Sequence, residues 1–320
     1  MEIGLIVAMV VLAIFVGYVL SSFILLRFPQ LLHKRKKLAF HPKHISHRGG
    51  AAEHLENTMT AFRHAVSLGT QMLELDCHLT KDCQVVVSHD ITLKRTCGED
   101  VAIADTDYDQ LPELKPCLGL DFNSYHQVTG DDRRIPLLKD VFEEFPSMPI
   151  NVDLKVDNDR LRTEVNQLVQ EYNREHLTAW GNTSATVVEK LYKTNPTIPL
   201  IFSKRRVAVL ILLFYSGLLP FVPIKESLLE VLMPCIILDK RNFKRELSKV
   251  QTVFFKVMDI LLMRPSLIRH LEKRGIQTYL WVLNSEEEFE RAFKIGATGV
   301  MTDFPTMLKD FLDRTQPGWR

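Results

Sequence analysis

The cysteines of this chain offer neither a metal cage nor a covalent frame. Cys77, Cys83, Cys97, Cys117 and Cys235 are odd in number and include no Cys-x-x-Cys pair, which argues against a zinc site and against a disulfide framework. Reduced thiols in a cytosol-facing domain fit best. Net charge is nearly absent as well: 40 Lys and Arg stand against 39 Asp and Glu, a formal +1, which argues against a nucleic-acid binder. Charge is missing altogether from residues 4 to 26, and no basic residue precedes that run, where Glu2 is the only charged side chain. A cleaved signal peptide needs a basic leader and a shorter apolar stretch, so the run reads as a bilayer-crossing helix, for which about 20 apolar residues suffice.

The residues just after that run are basic: Arg27, Lys34-Arg35-Lys36-Lys37 and Lys43. The positive-inside rule then places the N-terminus across the membrane and the remainder in the cytoplasm, with the basic cluster facing anionic lipid. The expected organisation is an anchor and juxtamembrane linker over 1–37 and a barrel over 38–320. The sequon Asn182-Thr183-Ser184 is expected to stay unglycosylated on that side.

Beyond residue 40, short apolar runs alternate with amphipathic stretches, the signature of βα units around a parallel sheet. Strands are expected near 44–47, 72–76, 85–89, 150–155, 177–181, 198–202, 278–283 and 298–302, with Cys235 to Leu238 as a candidate ninth. Helices are expected at Leu55 to Leu68, Leu137 to Phe145, Asp159 to Tyr172, Ala185 to Thr194 and Glu286 to Ile295. Eight strands in 320 residues fit one α/β domain, a (β/α)8 barrel. The polar stretch from about 91 to 135 reads as an insertion after the third strand. A second hydrophobic segment, Val207 to Ile224, comes after the sixth. Crossing the membrane there would split the barrel between two compartments. Pro220 and Pro223 and the flanking Lys204-Arg205-Arg206 and Lys225 instead suit a segment that dips into the interface, and a buried core helix is the other reading.

The polar clusters sit at strand ends, where barrel enzymes keep their chemistry. They are His47-Arg48-Gly49-Gly50, Glu56-Asn57-Thr58, Glu74-Leu75-Asp76 and His89-Asp90, then Asp153-Leu154-Lys155, Trp281-Val282-Leu283-Asn284 and a run from Gly296 to Asp303. Glu74 and Asp76 alternate along a strand and so face the same side, into the mouth. With Asp153 they offer an all-oxygen donor set suited to Mg²⁺ or Ca²⁺. An imidazole titrates near neutrality, so of His47 and His89, at the ends of the first and third strands, one can accept a proton while the other donates one. Arg48 and Lys155 can neutralise phosphate oxygens or pair with the acids. Glu56 and Asn57 can orient a metal or His47 from behind. Trp281 offers a flat face to a glycerol or alkyl chain, and Thr302-Asp303 reads as a brace.

In order and spacing these motifs resemble the glycerophosphodiester phosphodiesterase family over roughly residues 44 to 312. With the anchor and the Gly217 to Ile224 segment, the chain is similar to the family's membrane-anchored mammalian lysophospholipase D branch. The resemblance implies a divalent metal held by Glu74, Asp76 and Asp153, with His89 as a further candidate ligand. The usual third ligand is a glutamate, one methylene longer than Asp153. It implies His47 and His89 as acid and base without saying which is which. The expected enzyme is a phosphoric diester hydrolase that converts lysophospholipids to lysophosphatidic acid and a headgroup at the endoplasmic reticulum or perinuclear membrane. The alternatives are a hydrolase of soluble glycerophosphodiesters and a catalytically silent lipid-binding barrel. The latter is disfavoured because every acid and histidine of the motifs is present.

Overall fold

The computed structural model describes residues 2–239, 242–243 and 246–319. Among these residues, ten helices and ten strands alternate through most of the chain. The strands are β1 His44–Ser46, β2 Met72–Leu79, β3 Val85–Val87, β4 Cys117–Gly119, β5 Gln127–Thr129, β6 Ile150–Leu154, β7 Thr178–Gly181, β8 Leu228–Leu232, β9 Gln277–Trp281 and β10 Gly299–Thr302. The helices are α1 Glu2–Arg27, α2 Met59–Ser67, α3 Leu138–Glu144, α4 Asp159–Glu171, α5 Ala185–Thr194, α6 Lys204–Tyr215, α7 Lys249–Leu262, α8 Pro265–Lys273, α9 Glu286–Lys294 and α10 Pro305–Thr315.

Seven strands run parallel in the order β7-β6-β2-β1-β10-β9-β8. Parallel bridges Trp180↔Leu200 and Ile201↔Leu228 close the ring, so residues 200–201 act as an eighth, very short stave. The barrel expected from sequence is present, but two of its staves differ. β3 is not one of them: it folds back antiparallel on β2 as a hairpin. Only five residues separate β2 from β3, too few for the crossover that a parallel pair requires. Its place in the count is taken by β8, and the candidate ninth strand is a 3₁₀ turn, Pro234–Leu238. The segment after 200–201 therefore comes after the fifth stave rather than the sixth.

Alternation along the staves grades the barrel interior from apolar to acidic. Ile45, Met72, Leu228, Tyr279 and Met301 pack with Phe40 at the base. Two residues on from Met72 comes Glu74, and two further Asp76; Asn151 and Asp153 lie beside them in register. Outward-facing side chains such as Leu73, Leu75, Val152 and Trp180 pack against the helices. Side chains cap the helix starts: Thr58 accepts a bond from the Ala61 amide, so that α2 begins four residues after the expected Leu55, and Asn158 accepts from the amides of Arg160 and Leu161.

α1 is long and apolar enough to cross a membrane, and its most apolar stretch is not buried against the described residues. Its last turns are nevertheless docked. Ser22 Oγ donates to the Gly217 carbonyl at 2.7 Å, and Tyr18 bonds the Ser216 carbonyl and stacks on Phe221. Beyond the helix, the Lys36 amide donates to the Arg274 carbonyl at 2.9 Å, and Lys36 Nζ donates to the Glu226 carbonyl at 2.8 Å. The basic linker is therefore fastened to the barrel. Lys36 is turned inward, and its burial pushes its pKa down to about 8.

Candidate active site

His47, Arg48 and Gly49 form a tight 3₁₀ turn at the end of β1. Arg48, Gly49 and Gly50 have φ of 50°, 80° and 98°. Glycine is required at the last two: a Cβ on Gly49 would lie 2.8 Å from the Phe62 ring, and one on Gly50 2.6 Å from Pro305. The turn aims the Arg48 amide at Glu74 Oε2, 2.9 Å away. It also directs His47 toward the end of β10, where its Nδ1–H donates to Asp303 Oδ1 at 2.7 Å. Asp303 in turn accepts from Asn284 Nδ2 at 3.0 Å, while Asn284 Oδ1 accepts the Asp303 amide at 3.0 Å. This chain fixes the His47 tautomer and leaves Nε2 as the proton acceptor, 3.9 Å from Glu74. The Thr302-Asp303 pair, read as a brace, thus orients a histidine.

The acids converge as the strand pattern predicts. Asp76 accepts from Asn57 Nδ2 at 3.0 Å and pairs with Arg48 Nε at 3.4 Å and Lys155 Nζ at 3.2 Å. Lys155 also donates to Asp153 Oδ2 at 2.9 Å. Burial raises the carboxyl pKa values, but at Asp76 the lysine and then the arginine outweigh it and hold the group well below its ordinary range. Glu74 goes the other way, raised by burial and then by the charge on Asp76. Asp153 is also raised, by burial first. Glu230 on β8 lies inside the barrel and accepts from Asn151. Burial and then Asp153 push its carboxyl up to about 8.

Arg48 is enclosed: it donates to Glu56 Oε1 at 3.0 Å and to Asp121 Oδ2 at 2.9 Å and is 3% exposed. Of the two roles open to it from sequence, ion pairing with the carboxylates is the one seen here. Glu56 is also gripped by both terminal nitrogens of Arg95, each at 2.8 Å. Burial works to raise the Glu56 carboxyl, but Arg48 and then Arg95 outweigh it and bring the group down to about 2.

His89 stands just past β3. Its Nδ1–H donates to Asp90 Oδ1 at 2.6 Å, and Asp90 is held by Arg95 Nε, also at 2.6 Å. It is more open than His47, with side-chain exposures of 28% and 8% respectively. It lines a cavity of about 530 Å³ with Thr92, Arg95 and Lys155. On the other side the mouth is aromatic. Phe122 packs edge-on against His47, Trp281 and Phe243, with centroids 5.8–6.1 Å apart. The indole N–H of Trp281 has no hydrogen-bond partner among the described residues.

The donor set suits a hard divalent cation. Carboxylates Glu56, Glu74, Asp76, Asp90, Asp121 and Asp153 outnumber the cations Arg48, Arg95 and Lys155, and Asp153 Oδ1 is buried without a hydrogen-bond partner among the described residues. Among those residues no three His, Cys, Asp or Glu groups form a closed ligand shell, because Lys155 stands between Asp76 and Asp153. The expected residues gather at the mouth, but Glu74, Asp76 and Asp153 form no metal-binding group among the described residues. Arg95, Asp121, Phe122 and Glu230 escaped the sequence reading as parts of the site, while Asp90 and Asn284 stood there only as motif members and Asp303 only as a brace.

The sequence profile of the glycerophosphoryl diester phosphodiesterase family matches residues 47–307. The human protein named lysophospholipase D GDPD1 is 57% identical over 92% of this chain and 94% of its own length, and human lysophospholipase D GDPD3 is 41% identical over 95% of each. The fold resembles the crystal structure of a glycerophosphoryl diester phosphodiesterase, described as putative, from Silicibacter pomeroyi, with a TM-score of 0.66 at 18% identity over 91% of this chain and 99% of the other. A profile match that runs from His47 past the end of β10, with relatives this similar along nearly their whole length, establishes that the chain belongs to the glycerophosphoryl diester phosphodiesterase family.

Proposed function

We propose that this phosphodiester hydrolase acts as a lysophospholipase D, cleaving lysophosphatidylcholine or lysophosphatidylethanolamine to lysophosphatidic acid and the free headgroup. The observation that carries the reading is the pair of histidines that both act on Asp76 at the acidic mouth, each with Nδ1 on a carboxylate, Asp303 or Asp90. His47, enclosed beside the aromatic wall, takes the proton of the free glycerol hydroxyl as that oxygen attacks phosphorus. His89, facing the open cavity, gives a proton to the headgroup oxygen as the P–O bond breaks and the alcohol departs toward solvent. The result is a cyclic phosphate. In the second half water loses a proton to His89, adds to phosphorus, and the glycerol oxygen recovers its proton from His47. Intact diacyl lipids lack the attacking hydroxyl, which supplies the selectivity.

A divalent cation, Mg²⁺ or Ca²⁺, would be held by Glu74, Asp76 and Asp153 and would supply charge to neutralise the phosphate oxygens. His89 serves here as proton donor rather than ligand. Lys155 and Arg48 add positive charge from the same strand ends, Glu56 and Asn57 hold Arg48 and Asp76 in place, and Trp281 faces the glycerol.

Membrane placement rests on α1 as the anchor, with the barrel over 38–320 on the cytoplasmic side of an endoplasmic reticulum or perinuclear membrane. Tyr18 lies nine residues before Arg27, about 13 Å along the helix axis, so a bilayer that covers the apolar run also reaches the 216–221 turn docked on it. The 12 residues of α6 span only about 18 Å, short of the ~30 Å hydrocarbon core. Dipping, not crossing, fits the 207–224 segment. The sequon is a poor reporter of sidedness, because Asn182 Nδ2, the atom a glycan would take, is bonded to the Leu154 carbonyl.

The test is to incubate the purified chain with lysophosphatidylcholine in vesicles and with glycerophosphocholine, with and without a chelator. Lysophosphatidic acid and choline should form, and chelation should stop the reaction. Glycerol 3-phosphate as the preferred product would make the soluble diester the substrate instead.

A further inference from the structure

Helix α7 has no counterpart in the barrel repeat. After β8 the helix packed into the barrel is α8, which buries Leu267, Ile268 and Leu271, whereas α7 buries only Leu262 at its last turn. Along α7, Val250, Val253, Phe254, Val257 and Ile260 recur at helical spacing and are 46–79% exposed. They form one stripe on the side away from Asp259, which faces the protein, accepting the Cys235 amide and pairing with Arg291. Lys249 and Lys256 fall along one edge of the stripe, both exposed. An apolar stripe edged by lysines is the pattern of a helix lying in a membrane interface.

The stripe is also continuous with the anchor. Tyr215 at the end of α6 donates to the Leu261 carbonyl of α7 at 3.1 Å, and the turn after Tyr215 is the one bonded to Tyr18 and Ser22 of α1. Leu212, Tyr215, Leu218 and Phe221 expose 38–69% of their surface between the two helices. α1, the α6 turn and α7 thus make one apolar face. α7 begins beyond the loop whose Phe243 meets Phe122 at the mouth and whose Asn242 carbonyl accepts from Ser124.

We propose that α7 lies in the bilayer interface as a second membrane contact, its stripe among the acyl chains and Lys249 and Lys256 among anionic headgroups. Resting on the membrane-anchored reading above, two contacts instead of one fix the barrel's tilt and hold the Phe122–Trp281 side of the mouth against the lipid. A lysophospholipid then enters with its chain still in the membrane.

The test uses the full chain in vesicles of phosphatidylcholine brominated on its acyl chains with added phosphatidylserine. Phe254→Trp, a conservative change at an exposed position, should emit further to the blue than the parent in these vesicles and be quenched beyond the parent's signal, as Phe23→Trp in α1 should be. Quenching at position 23 with none at 254 would put α7 in water and overturn the proposal. So would a shielded indole at position 254 that bromine does not reach, with Val253→Cys crosslinking two copies, since a second chain would then cover the stripe. None of these readings requires turnover, so a failure of the lysophospholipase assignment would not be mistaken for a failure of this one.

Discussion

The mouth around His47 and the face around α7 depart from an ordinary protein exterior in opposite directions. At the mouth, charged groups are buried and over-paired: Arg48 meets Glu56, Asp76 and Asp121 at 2.9–3.4 Å while 3% exposed. At α7, large apolar groups stand exposed, uncovered by the described residues. A buried charge is tolerated only with partners, and an exposed apolar patch of this extent marks an interaction site. One region spends folding energy to hold charge where phosphate chemistry needs it, and the other leaves hydrophobic area uncovered for lipid. Between them lies Phe122, edge-on to His47 on one side and to Phe243 on the other.

The largest effect expected is on the mouth. His47→Ala should lose ~10²-fold or more of turnover while staying folded, the scale of a lost acid–base group. Asp303→Asn should lose less, about tenfold or more, since the imidazole remains but its tautomer is no longer enforced. A rate set by His47 orientation would fall in kcat with KM nearly kept. Equal, near-normal rates in both variants would remove the β1–β10 dyad from the mechanism.

A smaller effect is expected where the anchor ends against the barrel. His270 on α8 donates from Nδ1 to the Leu26 carbonyl at 3.0 Å, and its Nε2 is buried with no partner among the described residues, so a second proton would add a donor without an acceptor. Burial lowers its pKa from 6.5 to about 4. A depressed pKa means that the unfolded chain binds the proton first, so this contribution is whole above about pH 6.5 and fades as pH falls toward 4. Protection of the α8 amides against hydrogen exchange, taken relative to their intrinsic rate at each pH, should fall across that window, and His270→Asn, which keeps the donor but does not titrate, should flatten the response. An unchanged pH profile in that variant would assign the acid sensitivity elsewhere.

Much of the mouth was legible because strand alternation and motif spacing are local: His47, Glu74, Asp76, Asp153 and Lys155 come together as the pattern requires. The barrel was legible in class but not in every stave. The Val85-Val86-Val87 run is apolar on both faces, which says strand without saying direction; the five-residue gap before it was the overlooked sign of a hairpin. Leu228–Leu232 went unread because Glu230 breaks its apolar run, and that interruption is the inward-facing acid. Arg95, Asp121 and Phe122 come from the 91–135 insertion, whose return path across the mouth no local pattern encodes. The α7 stripe also went unread, although Val250, Val253, Phe254, Val257 and Ile260 recur at helical spacing, because no strand pattern or motif drew attention to that stretch.

The sharpest test of the proton assignments compares leaving groups. First-turnover release of the alcohol by His89→Ala is measured on lysophosphatidylcholine and on the same lysophosphatidyl group esterified to p-nitrophenol, whose oxyanion departs without needing a proton, so that the later water step, where His89 is the base, does not enter. If His89 is the acid, the variant loses ~10²-fold on the choline ester and little on the nitrophenyl ester, while His47→Ala is slow on both. A His89→Ala enzyme equally slow on the two substrates would contradict the assignment.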